Sequence, residues 1–104
     1  MALFAVINEE GPSWDSARPM REQKGWAEHA TFMNGLVDDR VVALGGPIRK
    51  GPRHRALLIV RAPNEEILRA RLVEDPWMRS GVLQIGELLP WELLLGELEQ
   101  SGKD

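Results

Sequence analysis

Residues 41–61 read VVALGGPIRKGPRHRALLIVR. Two apolar runs, 41–46 and 55–61, have the length and aliphatic content of strands. Pro47 ends the first, and IRKGPRH supplies the glycine and proline of a hairpin connection, so the two strands are expected as antiparallel neighbours. An amphipathic segment flanks this hairpin on each side. Upstream, from about Arg21 to Asp39, the residues Trp26, Ala30, Met33, Leu36 and Val37 recur at i, i+4, i+7, i+10 and i+11. That is the stripe of a helix, and Gly25 weakens its first turn. Downstream, Asn64 stands as an N-cap before Glu65 and Glu66, which suit the positive end of a helix dipole. Ile67, Ala70 and Leu72 or Val73 keep helical spacing to about Asp75.

The chain ends complete the pattern. Residues 2–8, ALFAVIN, read as a buried strand with a central place in the sheet. Residues 9–22 carry two prolines and a Gly-Pro pair and form a loop of unusual length, the kind that serves as a lid or binding loop. DPWMRSG (75–81) reads as a short helical turn, and VLQIGELLPWELLLGEL (82–98) as a fourth strand, interrupted at Pro90 and continued or turned into a fifth short element. The order strand, helix, strand, strand, helix, strand is that of an α+β, ferredoxin-like βαββαβ fold. Its sheet is four-stranded and antiparallel, with both helices on one face. Apolar residues on both parities of ALLIV and ELLPWELLL leave the other face apolar too, and a second subunit is its simplest cover. A single domain over 1–98, a polar tail at 99–104 and a homodimer are therefore expected.

Composition narrows the functional classes. The 104 residues carry 13 Lys plus Arg against 16 Asp plus Glu, a net charge of −3, which argues against a nucleic-acid partner. There is no cysteine and there are two histidines, so thiolate sites are excluded and a zinc site has little to be built from. The apolar start is too short for a signal segment and nothing approaches a membrane span, so a cytoplasmic protein without membrane contact is expected.

Candidate site residues follow from placement. His29 shares a helical face with Trp26, Met33 and Leu36. An imidazole facing inward is either a structural residue with both nitrogens hydrogen-bonded or an oriented base. Asp75, directly before Pro76, has the signature of an N-cap with proline at the first helical position. Trp26 and Trp77 are candidate aromatic walls of a pocket, or simply core. Arg18 and Arg21, in the loop that leads into the His29 helix, are the candidates to hold a small anion. Arg49, Lys50, Arg53, His54 and Arg55 gather in the hairpin as a basic tip, either a site for a carboxylate or phosphate or, as the favoured reading, a solvated turn. Gly45, Gly46 and Pro47 lack the following helix and lysine of a phosphate loop. No metal or other cofactor is expected, because His54 is not placed to join His29.

Together, WAEHATFMNGL, VVALGGP, LLIVRAPNEE, EDPWMRSGVL and the closing Pro90-Trp91 resemble the YCII-related family over nearly the whole chain. That resemblance implies a ferredoxin-like fold paired into a dimeric α+β barrel. It also implies a small pocket between helix and sheet in which a His and Asp pair, here His29 and Asp75, forms an acid/base dyad. At least one member of the family is understood to eliminate hydrogen chloride from a chlorinated muconolactone. The implied activity is cofactor-independent lyase or isomerase chemistry on a small carbonyl, lactone or aromatic-derived compound. The alternative is a non-catalytic dimeric module that binds a ligand or partner. The insertion GPSWDSARPMREQ departs from the family pattern and implies a different lid and a different ligand.

Overall fold

The computed structural model describes residues 1–98; the expected polar tail lies outside the described residues. Strand β1 (Ala2–Glu10) leads through the loop, with a 3-10 turn at Met20–Glu22, to helix α1 (Trp26–Asp38). Strands β2 (Val42–Ile48) and β3 (Arg55–Ala62) follow as a hairpin, then helices α2 (Glu65–Leu72) and α3 (Pro76–Ser80), and strand β4 (Leu83–Trp91). All pairings are antiparallel in the order β2-β3-β1-β4, so the expected α+β, ferredoxin-like sheet is present and β1 is central. Among the described residues no helix is long and apolar enough to cross a membrane.

The period of two along β1 sets the core. Phe4 and Val6 face the helices and are buried with Leu58, Val60 and Ala62 of β3, Val42 of β2 and Leu88 of β4. Leu36 of α1 and Leu68 and Leu72 of α2 close this layer. A smaller cluster at the far end joins Trp77, Val82 and Leu83 to Trp14, Met20 and Trp26. Asn64 caps α2 as its position predicts, its side chain accepting from the Ile67 N–H at 2.9 Å.

Several boundaries differ from expectation, each for a local reason. Gly25 sits at the start of α1 with φ 82°, a conformation open to glycine, so the helix begins at Trp26 rather than near Arg21. Strand β2 runs through Pro47 and β4 through Pro90, because both are edge strands with one side of the ladder unpaired. Helix α2 ends at Leu72, short of Asp75, which starts α3 instead.

Strand β4 holds apolar residues on both parities because it is bulged. The register with β1 passes from Ile7 opposite Glu87 to Asn8 opposite Ile85, leaving Gly86 unmatched. A Cβ there would stand 2.5 Å from the Glu9 carboxylate, which would have to move aside, and 3.2 Å from the Ile7 carbonyl, so the position is tight for any larger residue. The bulge turns Leu83, Ile85 and Leu88 to one side. On the other face of the sheet, Leu44, Leu57, Leu89 and Trp91 are exposed.

Leu36 is 1% exposed at the centre of the α1 contact. Leu36→Ala is expected to remove about 3 kcal/mol of stability through lost burial and a residual cavity, measured by urea unfolding of the two proteins.

Candidate active site

The site is built from three short pieces of backbone. Helix α1 places His29 one turn in, its N–H donating to the Gly25 carbonyl at 3.0 Å. Helix α3 places Asp75 at its N-cap, where Oδ1 accepts the Trp77 N–H at 2.9 Å and Pro76 needs no partner for a missing N–H. The Nδ1 of His29 lies 3.0 Å from Oδ1 and 2.8 Å from Oδ2 of that same carboxylate, across 46 residues of sequence. Both side chains are buried, His29 at 9% and Asp75 at 1% exposure. Nδ1–H donates to the carboxylate, which leaves Nε2 as the acceptor of the neutral ring.

Aromatic faces fix the ring further. Trp77 stacks on His29 at 3.9 Å between centroids and 10° between planes, and its Nε1–H donates to the Lys24 carbonyl at 2.8 Å. Trp26 leans against both, 5.8 Å from His29 and 5.6 Å from Trp77. The His29 ring, Trp26 and Trp77 border a cavity of about 230 Å³ whose other walls include Asn8, Met20, Met33, Gly45, Gly46 and His54. At roughly 30 Å³ of liquid per water, that volume corresponds to about eight waters, enough for a compound of one ring.

Two polar residues in this wall were not placed at a cavity by the sequence. Asn8 is 3% exposed and its Oδ1 has no hydrogen-bond partner. A buried amide oxygen left so carries a cost to stability. A signal was available, because Asn8 shares the inward parity of Phe4 and Val6. His54 corrects the reading of a solvated basic tip: the same parity, run back from Val60 and Leu58 through Ala56, turns it inward. Its ring lies flat against Trp14, 4.7 Å away at 6°, and the His54 backbone N–H donates to Glu10 Oε2 at 2.7 Å. Burial pushes the His54 pKa below 6.5; Glu10 works against that shift and the nearby His29 adds to it.

The two loop arginines do not reach the cavity. Arg18 pairs with Asp15 at 3.2 Å and borders a wider hollow of about 570 Å³ outside, shared with Arg49, Lys50 and Arg53. The Arg21 guanidinium lies over Trp26, 5.8 Å from the ring centroid, and lines neither space. The reason is the way the loop is folded. Gln23, 3% exposed, accepts from the Asp15 N–H at 3.0 Å and donates to the carbonyls of Asp15 and Arg18 at 2.7 and 2.8 Å. This packs Trp14 and Met20 inward and turns the arginines out. Among the described residues no group of three or more His, Cys, Asp or Glu side chains is arranged to hold a metal ion.

The fold matches that of 5-chloro-2-hydroxyhydroquinone dehydrochlorinase (TftG) from Burkholderia phenoliruptrix AC1100, whose structure is a complex with 2,5-dihydroxybenzoquinone. The TM-score is 0.56, over 90% of this chain and 95% of that one, at 18% sequence identity. At that identity the likeness is one of fold. No protein-family model matches the chain, and no curated protein matches it.

The lowered His54 pKa sets a pH dependence. The unfolded chain binds the His54 proton more readily than the folded one, so the stability His54 contributes is complete above 6.5. It is lost as pH falls from there through the lower folded value. His54→Gln is expected to flatten that part of the stability profile, read as the difference between urea-unfolding curves of the two proteins at stepped pH.

Proposed function

We propose that the cavity beside His29 binds a single-ring compound bearing hydroxyl or carbonyl groups, and that His29, held by Asp75, moves a proton on it without a cofactor. The observation that carries this reading is the buried His29–Asp75 pair at the wall of a cavity that Asn8 also borders. A histidine that served only to fill the core would not need to border an open volume. With Nδ1–H engaged by the carboxylate, Nε2 is free to take a proton from carbon or oxygen of the ligand. The Asp75 charge then faces the imidazolium, the orienting role a carboxylate plays in the Ser-His-Asp arrangement.

The electron pair left by the proton either shifts within the ligand and is met at another atom by the proton that His29 returns, which is isomerisation, or forms a new double bond as a leaving group departs, which is elimination. Asn8 adds a polar side chain to the wall, and Trp26, Trp77 and the two methionines Met20 and Met33 supply apolar walls that suit a flat ring. The structural neighbour's quinone ligand and dehydrochlorinase activity belong to the same chemical class. Membership of the YCII-related family is part of this proposal.

Asp75 also caps α3, which alone is a structural reason for its presence. Asn at the same position retains a good cap while removing the charge, so Asp75→Asn separates the two roles. With 2,5-dihydroxybenzoquinone as probe in D2O, the protein is expected to accelerate exchange of the ring C–H for deuterium, followed by proton NMR. His29→Gln and Asp75→Asn are each expected to slow that exchange by about a hundredfold or more with the fold retained. Exchange that is indifferent to His29 would sink the reading.

For the assembly we propose a homodimer through the open sheet face, where Leu44 is 59% and Trp91 40% exposed beside Leu57 and Leu89. Sedimentation is expected to give about twice the 11.7 kDa chain mass, and Leu57→Lys to return it to the single-chain value. A monomer at micromolar concentration would contradict this.

A further inference from the structure

The loop and the β2–β3 connection bring a second imidazole to the cavity. His54 borders the same space as His29 and also the wider hollow outside it. Its ring lies on Trp14 at 4.7 Å; Trp14 stands edge-on to Trp77 at 6.1 Å; and Trp77 stacks on His29 at 3.9 Å. A continuous run of aromatic rings therefore fixes two histidines from separate elements around one volume. Trp14 belongs to the inserted loop, whose shape Gln23 holds through three hydrogen bonds to its backbone. The insertion thus supplies the surface that seats His54.

From this juxtaposition we propose that His54 is a second proton-transfer group of the cavity, acting together with His29 on one bound ring, and that Trp14 is its positioning residue. The proposal rests on the reading of the cavity given above and narrows the reaction to proton transfer between two positions of a hydroxylated or keto ring. One imidazole, in its neutral form, takes the proton of a ring hydroxyl, and that O–H electron pair becomes the new carbonyl bond. The ring double bond shifts, and its pair forms a C–H bond with the proton given up by the other, protonated imidazole. The two histidines have exchanged protonation states, no net proton is gained or lost, and the reverse step restores both.

His54 is suited to the accepting role, since burial favours its neutral form. The charged and titratable groups around it are Glu10 from β1, His29 from α1, Arg18 from the loop, and Arg49, Lys50 and Arg53 from its own hairpin. Glu10 is engaged by the His54 backbone N–H and lies 3.6 Å from Arg53, so part of its charge is already met.

The test follows imidazole resonances by NMR across pH, together with deuterium exchange into 2,5-dihydroxybenzoquinone. The probe is expected to shift the His29 and His54 resonances with one saturation curve. His54→Gln is expected to slow exchange by about a hundredfold while leaving probe affinity nearly unchanged. Trp14→Leu is expected to move the His54 titration midpoint up toward 6.5 and to slow exchange, with Trp14→Phe restoring both. Exchange that requires His29 and ignores His54 overturns this proposal and leaves the single-histidine reading standing. No acceleration by the unmodified protein, or no shift at His29, removes both.

Discussion

One carboxylate joins the two halves of the site. Asp75 accepts the first free N–H of α3 through Oδ1 and receives the His29 Nδ1–H between both oxygens. A helix start must find partners for its unpaired N–H groups, and a buried imidazole must find one for its own donor. Here a single side chain answers both. Because the cap is at the first turn of α3, it also sets the position of Trp77 two residues on, and Trp77 then lies flat on the imidazole that the same carboxylate holds. The orientation of the His29 ring, the start of α3 and the wall of the cavity are thus one constraint.

The pieces of this arrangement with a local cause were legible in the amino-acid sequence. Asp before Pro announces a helix start whatever surrounds it, as does Asn64 before two glutamates, and both cap as expected. The placement of His29 on the inward side follows from spacing. The centre of the face does not. Leu36 and His29 are buried while Val37 is 41% exposed, because the approach of the sheet, and not the count of apolar residues, decides which edge of a stripe is covered.

What escaped the sequence was long-range. Strand boundaries at Pro47 and Pro90 depend on which strands end up at the edges, and that is a property of the sheet order. The contact of Trp14 with His54 joins residues 40 positions apart, and neither carries a local mark of the other. Gln23 is an ordinary polar residue in a polar stretch, and only its enclosure by the loop reveals it as an anchor. The basic character of Arg18 and Arg21 was plain, but charge says nothing of direction, and the loop turns both away from the cavity.

The Gln23 anchor has a further meaning for how this wall could change. Every partner of its amide is a backbone group, the N–H and carbonyl of Asp15 and the carbonyl of Arg18. Backbone groups are the same whatever side chains the loop carries. The path of the loop is therefore held in part by contacts that do not depend on its outward side chains, and Ser16, Ala17, Arg18 and Arg21, which face solvent, are the positions open to exchange, whereas Trp14 and Met20 are packed against Trp77. The fold thus separates a chemical floor, the His29–Asp75 pair, from an overlying loop whose outward positions can change while Gly11, Trp14 and Met20 stay in place.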